Sequence, residues 1–189
     1  MKIVVATNNE NKIKEISQIL LDIELLTLKD MNIDFDVDET GLTFMKNAEK
    51  KAKEYYEICK IPVIAEDSGL CLVGLNDMPG VFSKRFFDGK SEDEGNLMII
   101  DNLKNIDNRE AYYIAVYCYY DGINTIFAEG RTYGIIDDHI SGDNGFAYDR
   151  IFISKDTGKK MSIMSDEEKS KISHRRRGLE ELRSKINLY

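Results

Sequence analysis

A mixed β-sheet flanked by helices is the architecture this 189-residue sequence predicts, and three patterns carry it. The apolar run KIVVAT at the start is followed from Asn11 by Ile13, Ile16, Ile19 and Leu20 at helical spacing, which reads as strand, tight turn, helix. Further on, Phe44, Ala48, Ala52, Tyr55 and Cys59 share one helical face, Pro62 ends that helix, and PVIA reads as a short buried strand. Then YYIAVYCYY and INTIFAE flank Asp121-Gly122, a pair of residues suited to a two-residue hairpin turn. Strands interleaved with helices imply a sheet with helices packed around it.

The remaining elements follow from local signals. PVIA delivers Glu66 and Asp67 at its C-terminal end into a Ser68-Gly69 turn, the strand end where α/β proteins bind ligands. Ser91 and Glu94 have capping-box spacing ahead of a helix through Leu97, Ile100 and Leu103. Ser165 and Glu168 repeat that spacing before a charged segment to Leu188, expected to be helical with an interruption near Ser173. With no internal repeat, low-complexity tract or composition break, residues 1–189 read as one folding unit, cleft into two lobes at most.

Composition narrows the function classes. The chain is 42% hydrophobic and 32% charged, and it lacks the run of about 20 uncharged apolar residues that spans a bilayer. The start MKIVVATNN leads into a polar segment without a signal-peptide cleavage pattern, so a cytoplasmic location is expected. Cys59, Cys71 and Cys118 form no metal or disulfide pattern and read as small buried hydrophobes. A formal net charge of −8 argues against a broad nucleic-acid footprint. The one basic run, Arg175-Arg176-Arg177 after His174, lacks the interleaved aromatics of an RNA-binding module.

Four clusters could carry chemistry. The polar turn Thr7-Asn8-Asn9-Glu10-Asn11-Lys12 sits between a strand and a helix N-terminus, whose free N–H groups and positive dipole end attract phosphate, although an ordinary capped helix with a surface lysine explains it equally. Glu39, Glu66 and Asp67 offer hard oxygen ligands of the kind that hold Mg²⁺, one of which could also deprotonate water; the alternative is carboxylates that cap or solvate turns. Gly145-Phe146-Ala147-Tyr148-Asp149 brings two aromatics and an acid into a small-residue loop, suited to stacking on a base at roughly 1–3 kcal/mol or simply to plugging a core edge. Lys169 could reach phosphates, and in Ser173-His174-Arg175 the arginine could donate to a carbonyl oxygen on a base, with His174 equally suited to a structural role.

In this order the clusters are distinctive. TNNENK at 7–12, ETGLTFMKNAEKKA at 39–52, AEDSGL at 65–70, PGVFSKR at 79–85, GFAYD at 145–149 and EEKSKISHR at 167–175 together resemble the inosine triphosphate pyrophosphatase family, also called the nonstandard purine nucleoside triphosphate pyrophosphatases, over nearly the whole chain. The resemblance implies an elongated mixed α/β fold with a central nucleotide cleft between two lobes, generally as a homodimer. It implies Mg²⁺-dependent hydrolysis of ITP, dITP and XTP to the monophosphate and pyrophosphate. Carried over by position, Thr7 to Lys12 and Lys169 grip the triphosphate, Glu39 and Asp67 hold Mg²⁺, Asp67 is the general base and Ser68 touches the substrate. Phe146 to Asp149 form the base-binding loop, with Phe146 stacked on the purine and Asp149 at its edge, while His174 and Arg175 recognise the 6-oxo group. Three positions depart from the family pattern: Glu66 stands where many relatives have aspartate, Ala147 replaces a common glycine and Arg150 a common proline. A noncatalytic nucleotide sensor is the competing reading, and the joint presence of Lys12, Glu39 and Asp67 favours the enzyme.

Overall fold

The computed structural model describes residues 1–145 and 147–186, apart from the side chain of Asn11. Its strands are β1 (Lys2–Val5), β2 (Glu24–Thr27), β3 (Val63–Leu72), β4 (Met78–Pro79), β5 (Glu110–Tyr120), β6 (Thr125–Ile136) and β7 (Phe152–Ser154). The helices are α1 (Glu10–Ile19), α2 (Phe44–Cys59), α3 (Glu92–Asn102), α4 (Asp166–Ile172) and α5 (His174–Ile186). The strands form one mixed sheet in the order β2-β1-β3-β5-β6-β7, with β4 on β3. β1 is parallel to β2 and β3, whereas β4 is antiparallel to β3 and β7 to β6. This is the mixed α/β architecture expected. No helix among the described residues is long and apolar enough to cross a membrane.

The chain divides into two compact units. The first holds Met1–Asp67, Ala115–Gly130 and the segment from Arg175; the second holds Ser68–Ile114 and Arg131–His174. In the first unit the alternation of β1 sorts its side chains: Ile3 and Val5 join Ile16 of α1, Leu20 just after it, and Leu179 and Leu182 of α5, while Val4, with Ala6 just past the strand, joins Ala48, Ala52 and Tyr55 of α2. β3 obeys the same rule, with Ile64 toward α1 and α5, and Val63 and Ala65 toward α2. The second unit packs around Leu70, Leu72, Ile99, Leu103, Tyr148, Phe152 and Ile172.

Both capping boxes form as the spacing predicts. Ser91 accepts from the Glu94 N–H and Ser165 from the Glu168 N–H, and each glutamate returns the bond to its cap residue. Ser173 adopts an extended conformation between α4 and α5, the expected interruption.

Three local expectations are corrected. β3 does not stop before a Ser-Gly turn but runs ten residues through Glu66, Asp67, Ser68 and Gly69, with β5 as a sheet neighbour and with Cys71 and Leu72 paired to Pro79 and Met78 of β4. The hairpin loop spans the four residues 121–124: Asp121 Oδ1 accepts the N–H groups of Ile123 at 2.9 Å and Asn124 at 2.6 Å, an Asx turn that outcompetes the tighter two-residue form. Cys71 and Cys118 are buried, but Cys59, at the last turn of α2, is only partly so.

Candidate active site

The acidic pair is split by strand geometry. Successive side chains of β3 point to opposite faces, so Asp67 shares the α2 face with Val63 and Ala65, and Glu66 shares the α1 and α5 face with Ile64.

On the α2 face, Asn47 and Lys51 stand one turn apart among the buried residues of that helix. Asn47 Nδ2 donates to Asp67 Oδ2 at 2.9 Å, and Asn47 Oδ1 accepts the Gly41 N–H at 2.7 Å. The Lys51 ammonium is 2.6 Å from Glu39 Oε1 and 3.9 Å from Asp67 Oδ1, and it donates to the Glu66 carbonyl at 2.7 Å. Glu39 and Asp67 thus both face the Lys51 ammonium. Burial pushes the Asp67 carboxyl up to about 6; the Lys51 charge opposes this and Glu39 reinforces it. Two hard carboxylates that already share an ammonium suit a small divalent cation, so their chemistry fits Mg²⁺.

On the opposite face, Glu66 forms an ion pair with Lys12 of α1, and its Oε1 lies 3.3 Å from Arg175 Nε of α5. Arg175 also approaches Glu15 at 3.8 Å. Burial works against the Arg175 charge, but Glu66 and Glu15 outweigh it and hold its pKa above the ordinary value.

In the turn before α1, Asn9 Oδ1 accepts the Lys12 N–H at 3.3 Å and Thr7 Oγ1 accepts the Asn9 N–H at 3.1 Å. Asn9 therefore caps the helix, which is the ordinary reading of this turn, while its neighbours remain exposed: Asn8 donates to Asp36 at 3.1 Å and Glu10 opens the helix. Asn11 lies in α1, but its side chain is outside the described set.

The second unit assembles another cluster. Asp149 Oδ1 accepts from the Tyr113 hydroxyl at 3.3 Å, Asp149 Oδ2 lies 3.1 Å from Lys169 Nζ, and the Tyr113 ring stacks on His174 with centroids 5.1 Å apart. Gly145 is required here, since a Cβ would stand 2.2 Å from Asp149 Oδ2 and 2.5 Å from Lys169 Nζ. Ala147 sits at φ +55°, the left-handed region where a glycine is easier. Tyr148 is committed to packing: its hydroxyl donates to the Ser83 carbonyl at 2.8 Å and its ring lies 4.6 Å from that of Phe87. Ser68 is half-buried within β3, and Phe146 lies outside the described residues.

Asn47, Lys51 and Tyr113 were not singled out from sequence. The signal for the first two was available: they are polar residues on the buried stripe of an amphipathic helix, beside Ala48 and Ala52. Nothing in the YYIAVYCYY run distinguishes Tyr113 from its neighbours. Among the described residues Asp137, Asp138 and His139 also form a compact group, but the Lys160 ammonium sits 2.7 Å from Asp137 Oδ2 and ties it to the loop.

A Ham1 family profile matches residues 3–185, and the chain belongs to the Ham1 family. It is 43% identical over 186 residues to a dITP/XTP pyrophosphatase of Leptospira interrogans, covering 96% of this chain and 94% of that protein. A dITP/XTP pyrophosphatase of Aquifex aeolicus is also 43% identical, over 96% of this chain and 95% of the relative. Among solved structures, the Staphylococcus aureus Ham1 protein matches with a TM-score of 0.92 at 34% identity, covering 99% and 98% of the two chains. A HAM1 protein from Coxiella burnetii matches over the full length of both chains with a TM-score of 0.94 at 29% identity.

Proposed function

We propose that this protein hydrolyses nonstandard purine nucleoside triphosphates, ITP, dITP and XTP, to the monophosphate and pyrophosphate, and so clears deaminated purines from the nucleotide pool. The observation that carries the reading is the pair Glu39 and Asp67 gathered around one cation, with the Asp67 carboxyl raised to about 6. A buried carboxylate with that pKa is mostly ionised at neutral pH and still basic enough to accept a proton, as a general base must. The curated relatives described above, at 43% identity over nearly full length, are named dITP/XTP pyrophosphatases, which supports the same reaction.

In this reading Glu39 and Asp67 hold Mg²⁺. The bound ion supplies charge neutralisation at the phosphate oxygens. Asp67 takes the proton of the attacking water, the water oxygen bonds to the α-phosphorus, and the bond to the β-phosphate bridging oxygen breaks to release pyrophosphate. Asn47 holds Oδ2 of Asp67 and so orients the carboxylate. The turn from Thr7 to Lys12, with Lys169, grips the phosphates, and Ser68 contacts the substrate. The loop from Phe146 to Asp149, with His174 and Arg175, reads the base. A 6-oxo purine presents an acceptor where adenine presents a donor, and a mismatched buried donor costs about 1–3 kcal/mol per contact, enough for a few contacts to reject ATP. The working form is a homodimer, which light scattering on the purified protein checks.

The deciding experiment incubates the purified protein with Mg²⁺ and, separately, ITP, XTP, GTP and ATP, and measures pyrophosphate and orthophosphate. Pyrophosphate release confined to ITP and XTP is the expected result. Orthophosphate release means cleavage at another bond, and tight binding without turnover means a nucleotide sensor.

A further inference from the structure

Asn96 and Asp93 of α3 reach the Ala147 carbonyl and Arg150, Asp137 and Asp138 gather beside His139, and Glu66 meets Lys12 of α1 and Arg175 of α5. Only Glu66 combines near-complete burial with two named charged partners. Its side chain is 4% exposed, yet it is the carboxylate that the α1 lysine and the α5 arginine both meet.

We propose that Glu66 is a positioning residue and not a metal ligand: from the face of β3 opposite Asp67 it seats Lys12 for phosphate and Arg175 for the base. The argument is geometric. Consecutive residues of an extended strand project to opposite sides, and β3 is extended through 66 and 67. Asp67 therefore meets Asn47 and Lys51 of α2, on the side where Glu39 is held, while Glu66 meets Lys12 and Arg175. Its two carboxylate oxygens are divided between two cations, Oε2 toward Lys12 and Oε1 toward Arg175. One carboxylate thus bridges a cation of α1 and a cation of α5, beside the longer approach of Arg175 to Glu15. Both long side chains would lose rotamer freedom on gripping a substrate, and a shared buried anion removes that freedom beforehand.

The inference rests on the proposed roles of Lys12 and Arg175, so its test includes readouts that do not need turnover. Glu66→Gln keeps the shape and removes the charge. Three quantities are compared with the unmodified protein: Mn²⁺ affinity by electron paramagnetic resonance, ITP affinity by calorimetry without metal, and the ratio of kcat/KM for ITP to that for ATP. The expected result is Mn²⁺ affinity within about twofold, ITP binding weakened by about tenfold or more, and a selectivity ratio lowered by about tenfold. Glu66→Asp, which keeps the charge on a shorter arm, is expected to fall between the two, and it serves as the test protein if Glu66→Gln does not fold. A tenfold loss of Mn²⁺ affinity in either variant overturns the proposal in favour of a metal ligand. Unchanged ITP affinity overturns it in favour of a purely structural ion pair. If the unmodified protein releases no pyrophosphate from ITP, the proposed reaction fails, while the Mn²⁺ and ITP titrations still decide the role of Glu66.

Discussion

Asn47 Nδ2 donates to Asp67 Oδ2 at 2.9 Å, and the same amide accepts the Gly41 N–H at 2.7 Å, so one buried side chain of α2 ties the catalytic candidate to the loop that carries Glu39. The amide orientation is set by these two partners, a donor facing a carboxylate and an acceptor facing an N–H. From this arrangement and the cluster around Asp149 come five expected outcomes.

Asp67→Asn removes the proposed base and keeps the shape. Pyrophosphate release from ITP should fall by about 10²- to 10⁴-fold, the usual worth of a general base, while ITP binding by calorimetry stays close to normal. A variant with near-normal turnover would remove Asp67 from proton transfer.

The raised pKa of Asp67 has a definite sign in stability. Its folded-state value of about 6 lies above the ordinary aspartate value of 3.8, so the folded state holds the proton more tightly. The resulting stabilisation is fully present below the unfolded pKa and is lost as pH rises to about 6. In metal-free protein this is on the order of 2–3 kcal/mol of stability lost between about pH 4 and pH 6. Urea unfolding across that range should show the decline, and Asp67→Asn should flatten it. Adding Mg²⁺ should lower the Asp67 titration midpoint in nuclear magnetic resonance, because a nearby cation favours the carboxylate.

Asn47→Ala leaves the Gly41 N–H without its acceptor and Asp67 without its donor. The loss should be about 1–3 kcal/mol in chemical unfolding. Turnover should fall as well, with kcat affected more than KM, since the substitution frees the base rather than a substrate contact.

Tyr113→Phe keeps the ring against His174 and Phe152 and deletes only the hydroxyl that reaches Asp149. The stability cost should be about 0.5–1.5 kcal/mol, and the KM for ITP should rise while kcat changes little. An unchanged KM would separate Asp149 from base recognition.

Ala147→Gly relieves a left-handed backbone at φ +55°. The strain removed, about 1–2 kcal/mol, exceeds the entropy that glycine adds to the unfolded chain, about 0.5–1 kcal/mol, so the melting temperature should rise by a few degrees.

Much of the fold was legible because its signals are local. The capping boxes at Ser91 and Ser165 need only residues three apart, and both form. The break at Ser173 and the α2 span Phe44–Cys59 were equally readable from periodicity and from Pro62. The length of β3 was not, because the strands that flank it, β1, β4 and β5, come from separate parts of the chain. For the same reason Tyr113, which lies 36 residues from Asp149 in the chain, carried no sign of its contact.

The sequence by itself determined the acidic pair, the polar turn before α1, the loop after Gly145 and the charged last helices, since each depends on residue type at short spacing. The tertiary fold sets which partners the neighbours Glu66 and Asp67 meet. Adjacent in the chain, they are directed to opposite faces by the two-residue period of a strand, one toward Lys12 and Arg175, the other toward Asn47 and Lys51. Only the packing of α1, α2 and α5 against β3 says which side chains wait on each face, because those contacts join residues far apart in the chain.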